Sequence, residues 1–129
     1  MTKFRQFLTS TNKLVLGGKS AENNELLVQQ IEPENYVLHT AMPGSPFCEI
    51  KSEKVNKSEL KEVAIFCAKY SHDWRDNKQD VLVHVFRGKD IYKEKRMKLG
   101  TFGVRKFTEI KVKKKDIEEF ERNLREIGK

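Results

Sequence analysis

The sequence predicts an α+β domain, a mostly antiparallel sheet with helices packed on it, in the order β-β-α-β-β-α-β-β-β-α across a single domain of residues 1–129. Three observations predict it. The apolar runs of FRQFL and KLVLGG flank the polar turn Thr9-Ser10-Thr11-Asn12, as the strands of a hairpin do. SELKEVAIFCAKYSHDW repeats apolar and small residues at helical spacing. VLVHVF is apolar on both faces, which suits a strand in the interior of a sheet.

The elements follow in order. After the hairpin, Ser20 is placed to cap a short helix through AENNELLVQQ, with Leu26, Leu27 and Ile31 on its inner side. Pro33 then keeps the helix from running far past Ile31. NYVLHT reads as a strand, MPGSP as a turn, and FCEIK as a strand with Cys48 and Ile50 on one face. The next helix begins on Ser58 as its cap and buries Leu60, Val63, Ala64, Cys67, Ala68 and Ser71, small enough together to lie close to a sheet. Strand VLVHVF leads into a basic loop. TFGVRKF and TEIKVK follow as strands, the second with Ile110 and Val112 inward and Lys111 and Lys113 outward. An amphipathic helix over about 115–128 closes the chain on Ile117, Phe120, Leu124 and Ile127.

A chain of 129 residues can bury roughly two-thirds of its unfolded surface, enough for one core. No apolar run approaches the ~18 residues of a membrane span. Lys3, Arg5 and Gln6 interrupt anything resembling a secretory leader. Cys48 and Cys67 lack the spacing of a metal site and read as small buried hydrophobes. A cytoplasmic protein without a membrane partner is expected.

The net charge of +7 is uneven: residues 87–115 hold 12 Lys and Arg against Asp90, Glu94 and Glu109, a local +9. The other residues carry 14 bases and 16 acids, net −2. A basic excess confined to one segment points to a polyanion more than diffuse basicity does, although a solvated lysine-rich face competes as an explanation.

The stretch LVLGGKS resembles a phosphate loop only in passing. Such a loop needs a glycine five positions before its Gly-Lys-Ser, and Lys13 stands there, with Leu14, Val15 and Leu16 belonging to the strand. No later apolar run ends in an Asp that would hold magnesium. The glycines read instead as the turn between strand and helix, with a positive φ as the reason for Gly18. For catalysis the candidates are His39, His72 and His84. Single histidines on strands are more often hydrogen-bonded structural residues, and His72 ends a helix, where a cation suits the dipole. A metal-dependent nuclease using His39, Glu49 and His84 stays open as an alternative; no cofactor is expected.

LTSTNKLVLGGKSAENNELL, YVLHTAMPGSPFCEIK and a helix ending AKYS resemble the RNA-binding module of the NFACT family, from Phe7 to about Val112. Seven short motifs carry the resemblance in order: Gly18-Lys19, Asn23-Asn24-Glu25, Val37-Leu38-His39, Pro43-Gly44-Ser45, Tyr70-Ser71, Ile91-Tyr92-Lys93 and Gly100. Lys19 departs from the usual Arg, keeping charge without the bidentate fork. Val37 departs from a common Trp, and the 87–98 loop matches in charge but not in detail. Larger members carry a glycosylase-like domain, helix-hairpin-helix elements and a coiled coil; none is seen in these residues, so functions resting on them are not expected here.

The resemblance implies a non-catalytic module that binds tRNA or ribosomal RNA, with the large ribosomal subunit as a partner in ribosome quality control. The residues expected to hold RNA are Lys19, Asn23, Asn24, His39, Ser45, Arg87, Lys89, Tyr92, Lys93, Lys95, Arg96, Lys98, Lys111 and Lys113. His39 and Ser45 enter on the resemblance alone. The lysines and arginines track phosphates. Tyr92, Phe102 and Phe107 are candidates to stack unpaired bases, with core packing the competing reading for the two phenylalanines. The other function class is an adaptor that docks a protein partner through the terminal helix.

Overall fold

The computed structural model describes residues 3–127, with side chains through residue 124. It is α+β, as the sequence predicts. β1 (Arg5–Leu8) and β2 (Leu14–Gly17) form the first hairpin, Phe7 opposite Val15. Asn12 turns it with a φ of 66°, a left-handed conformation that asparagine tolerates.

α1 (Ala21–Gln29) begins on Ser20, whose Oγ accepts the Asn23 N–H at 3.1 Å. Its inner stripe is Asn24 and Leu27, with Val28 and Ile31 half-buried. Leu26, expected inward, is 44% exposed. Steps of three and four from Asn24 reach Leu27, Val28 and Ile31, and Leu26 falls to the flank. The polar residue within that stripe hid the true phase of the helix.

β3 (Tyr36–Thr40) and β4 (Cys48–Ile50) follow. α2 (Lys57–Lys69) is capped by Asn56 rather than by Ser58. A capping box needs Glu or Gln three residues after the cap. Asn56 has Glu59 there: the Asn56 Oδ1 accepts the Glu59 N–H at 2.8 Å, and Glu59 accepts the Asn56 N–H at 2.9 Å. Ser58 would have had Lys61. The Glu59 carboxylate also accepts from the Thr11 hydroxyl and from Lys13 Nζ, so the hairpin turn is tied to the helix start. Thr11, then the Asn56 backbone, then Lys13 hold its pKa down to about 2.

The long helix expected through Trp74 is two helices. α2 stops at Lys69, and α3 (His72–Asn77) restarts on Ser71, whose Oγ accepts the Trp74 N–H and donates to the Ala68 carbonyl. β5 (Val81–Arg87) is interior, paired with β3 on one side and β8 (Thr108–Val112) on the other. Between them, the strand expected from TFGVRKF shrinks to β7 (Gly103–Val104), which pairs with β6 (Ile91–Tyr92) in a separate two-stranded ribbon. Gly103 lies under the Tyr92 ring, where a Cβ would come within 2.1 Å of it. α4 (Lys114–Ile127) closes the chain; Ile117 is buried, Leu124 is 37% exposed, and the Ile127 side chain lies outside the described residues.

The main sheet runs β1-β2-β4-β3-β5-β8, antiparallel throughout. Side chains alternate between its faces. Leu38, Cys48, Val83 and Val85 pack against Val63, Ala64 and Cys67 of α2 and Ile117 of α4. On the opposite face Val37, Phe47 and Phe86 pack with Leu27 of α1 and with Phe102 beside the ribbon. Both cysteines are buried and free, and burial pushes the Cys48 thiol well above its ordinary range, as befits packing rather than chemistry. Among the described residues no helix is long and apolar enough to cross a membrane.

Candidate nucleic-acid interface

On the α1 face of the sheet, β3 and β5 set His39 directly opposite His84. The helix and the ribbon cover only part of this face, and a groove of about 540 Å³ remains beside them. His39, His84, Phe47 and Phe86 line it from the sheet. The start of α1 from Gly18 to Ala21 contributes to its lining, as do the 99–102 loop and the Pro43–Pro46 turn. Arg5, Lys19 and His72 add cationic or ionisable groups. All three histidines of the chain therefore meet in one groove. Among the described residues that line it, none is Asp or Glu.

Asn24 builds this groove rather than standing free in it. Only 8% exposed, it donates from Nδ2 to the Ser45 carbonyl at 3.2 Å and accepts the Phe47 N–H on Oδ1 at 3.1 Å. These bonds staple α1 to the turn after β3. Gly18 is required because a Cβ there would stand 1.8 Å from Asn24 Oδ1. The positive φ expected at Gly18 is not found; the left-handed glycines are Gly44 and Gly100. Ser45, expected as a donor to RNA, is buried, accepting the Thr40 N–H at 3.0 Å and donating to the Pro46 carbonyl at 3.1 Å. It closes the turn.

His39 donates its Nδ1–H to the Thr40 carbonyl at 2.8 Å, since a carbonyl only accepts, and tilts against Phe47 with centroids 4.4 Å apart. Burial pushes its pKa below the ordinary value, helped by His84, so at neutral pH the ring is uncharged and its Nε2 is an acceptor. His84 stacks on Phe107 at 3.9 Å and 20°, and its Nε2 lies 3.1 Å from Glu109 Oε2. Phe107 is 48% exposed.

The basic segment divides in two. Arg87 lies over the Tyr36 ring at 3.9 Å and donates to the Glu34 carbonyl at 2.6 Å, while Lys89 pairs with Glu34. Lys93 is engaged more fully: its Nζ reaches Glu25 at 2.7 Å and the carbonyls of Lys98 and Thr101 at 2.7 and 2.8 Å. The Gly100 N–H shares the Glu25 carboxylate, and the hydrogen bond from Lys93 leads in holding that carboxyl below its usual range. This clasp pins the 93–101 loop to α1 and sets Leu99–Phe102 as a wall of the groove. Tyr92 is half-buried beneath Arg105, and Lys111 lies near Asp80. Asn23 accepts the Lys19 N–H and donates to the Lys3 carbonyl. Lys95, Arg96, Lys98 and Lys113 are exposed and have no ion pair among the described residues.

Of the residues expected to touch RNA, the groove gathers Lys19, Asn24, His39 and Ser45. It also enlists Arg5 and Leu99, which sequence reasoning did not single out, and His72, which it weighed only as a candidate for catalysis. Glu49 stands apart from the histidines: its oxygens accept from Gln30, Lys51, Asn35 and the Glu32 N–H. Among the described residues no group of three His, Cys, Asp or Glu is placed to hold a metal.

The sequence profile of the NFACT protein RNA binding domain matches residues 3–106. A fly protein (Drosophila melanogaster), the ribosome quality control complex subunit NEMF homolog, is 32% identical over 76 residues, 56% of this chain and 8% of that protein. Ribosome quality control complex subunit NEMF from mouse (Mus musculus) and human (Homo sapiens) is 30% identical over 76 residues, 56% of this chain and 7% of theirs. The chain thus spans under a tenth of these relatives' length. In fold it is similar to the C-terminal part of the fibronectin/fibrinogen-binding protein from Streptococcus suis, with a TM-score of 0.78 over 92% of this chain and 50% of the other, at 19% identity.

Proposed function

The chain belongs to the NFACT RNA-binding domain family, and from that premise we propose that it is a non-catalytic module that binds tRNA or ribosomal RNA in the cytosol, in ribosome-associated quality control. The observation that carries this reading is the groove with Lys19 and Arg5 in its lining and no acid among its described lining residues, in a chain with 19 acids. A site so depleted of negative charge suits a polyanion. The exposed Lys95, Arg96 and Lys98 immediately precede Leu99 of the groove wall in the chain, and this reading assigns them to the RNA backbone. The family and the names of the relatives supply the ribosomal setting. Catalysis draws no support: Cys67 is buried and Glu49 is bound by four donors away from His39. Docking of a protein through α4 is the weaker reading, because Ile117 and Phe120 are already packed on the rest of the domain.

The test is the salt dependence of RNA affinity, measured by fluorescence anisotropy with labelled tRNA and a ribosomal RNA hairpin. Replacing Lys19, Lys95, Arg96 and Lys98 with Ala should weaken binding and lower the log–log salt slope by about 3, since each phosphate contact contributes about 0.7–0.9. Lys93 is left in place because its charge holds the loop. An unchanged slope with unchanged affinity would remove the basic loop from the interface.

A further inference from the structure

We propose that the groove receives a single unpaired nucleotide of the bound RNA, its base stacked on Phe107 and its phosphate held by Lys19 and Arg5. This rests on the reading of the chain as an RNA-binding module and says what part of the RNA it recognises. Five observations lead there.

The first is Phe107. Phe107 is 48% exposed and Leu99 is 53% exposed, and both stand in the lining of the groove, so the exposed apolar surface there belongs to a concave site and is not a lone residue on a convex face. One side of the Phe107 ring is held against His84, at 3.9 Å and nearly parallel, while about half of the residue stays exposed. A ring fixed on one side and still half exposed is a stacking platform that loses little freedom when a base arrives. The second is Arg5. Its guanidinium is held over the Tyr70 ring at 3.9 Å, and its Nε is buried with no hydrogen-bond partner. Buried donors without an acceptor are uncommon. Arg5 also lines the groove, so this guanidinium sets a positive charge in its wall.

The third is size: about 540 Å³ lies within the range of sites that enclose one small ligand, and a base paired within a duplex cannot enter. An extruded or single-stranded nucleotide can. The fourth is charge, for Lys19 and Arg5 in the lining with no Asp or Glu among its described residues favour an anionic ligand over a neutral or basic one. The fifth is His39. With its Nδ1–H committed to the Thr40 carbonyl, the ring offers only an acceptor at Nε2, suited to an exocyclic amino group of a base.

Lys93 has a defined part here as a positioning residue. It touches no ligand in this arrangement; through Glu25 it sets the loop that carries Leu99 and Gly100. A Cβ on Gly100 would come within 2.7 Å of the Ala21 backbone, so the loop sits directly against the start of α1.

Because all three histidines line the groove, their Cε1–H signals in NMR report on it and on little else. The experiment titrates the full chain with three probes: a short single-stranded RNA, a blunt RNA duplex and a polyglutamate peptide. Single-stranded RNA should shift the His39 and His84 signals, and the duplex should leave them in place. Phe107→Ala should weaken single-strand binding at least fivefold and duplex binding less than twofold, the size expected for loss of one stacked base. Phe107→Trp should retain the wild-type affinity, which guards against a mere folding defect. If single strand and duplex bind equally and the histidine signals do not move, the groove assignment is wrong while RNA binding stands. If neither RNA binds, the underlying reading fails with it. Histidine shifts produced by polyglutamate as strongly as by RNA would assign the groove to a protein ligand and overturn the proposal.

Discussion

Glu49→Ala should destabilise the domain by about 3 kcal/mol or more, the usual consequence of removing one partner from a buried charged network. Glu49 is fully buried in β4, yet its carboxylate is well supplied. Oε1 accepts from Gln30 at 2.7 Å and from Lys51 at 3.1 Å; Oε2 accepts from Asn35 at 2.8 Å and from the Glu32 N–H at 3.3 Å. Alanine strands the Asn35 amide, which is itself buried, and the Glu32 N–H, while Gln30 keeps the Leu27 carbonyl and Lys51 keeps Gln30 Oε1. Each buried donor stranded in this way costs about 1–3 kcal/mol. Glu49→Gln should fall between wild type and alanine, since it keeps the volume and one acceptor but turns an NH₂ toward existing donors. Urea denaturation, read as a change of midpoint at constant slope, measures both. A loss below about 1 kcal/mol for the alanine variant would show that water or rearranged side chains replace the carboxylate at little cost.

Gly18→Ala should cost about 3 kcal/mol, through crowding rather than through backbone conformation. The new Cβ would stand 1.8 Å from Asn24 Oδ1 and 2.8 Å from its Cγ. Asn24 would have to swing away from the Phe47 N–H and the Ser45 carbonyl, which hold α1 to the turn after β3. Overpacking of this kind costs about 1–3 kcal/mol, and the stranded buried amide adds a comparable amount. The cause can be isolated by a double-mutant cycle. Asn24→Ala removes the Oδ1 and Cγ that the new methyl would strike and leaves only the Cα of residue 24 at 3.3 Å, so Gly18→Ala in that background should be nearly neutral, a coupling of about 3 kcal/mol. Equal losses in both backgrounds would mean that the backbone itself demands glycine.

These two residues also show where the sequence could be read and where it could not. The hairpin, β3, β5 and α2 were legible because their signals are local: alternation or helical spacing within a few residues, closed by turn residues. Asn24 was misleading because a buried polar residue breaks an apolar stripe, and the stripe was then drawn through Leu26. The break at Ser71 was not legible from periodicity, since Ser71 continues the α2 spacing while its hydroxyl starts the next helix. Charge was legible as a total and not as an assignment. Lys93 and Lys95 look alike in the chain, but Glu25, 68 residues before Lys93, engages only the former. The groove was the least legible feature of all. His39 and His84 meet only because β3 and β5 are neighbours in the sheet, and His72 joins them only because its N–H is held by the Gly44 carbonyl at 2.7 Å.

Ultraviolet crosslinking of the full chain to tRNA and to ribosomal RNA, with the attached residues mapped by mass spectrometry, tests the central claim most directly. The account predicts nucleotide adducts on the groove and its edge, at Phe107, at Lys19 and within the 95–102 loop, diminishing as salt is raised. Adducts confined to the exposed faces of α2 and α4, on the other side of the sheet, or no adducts with either RNA, would contradict it.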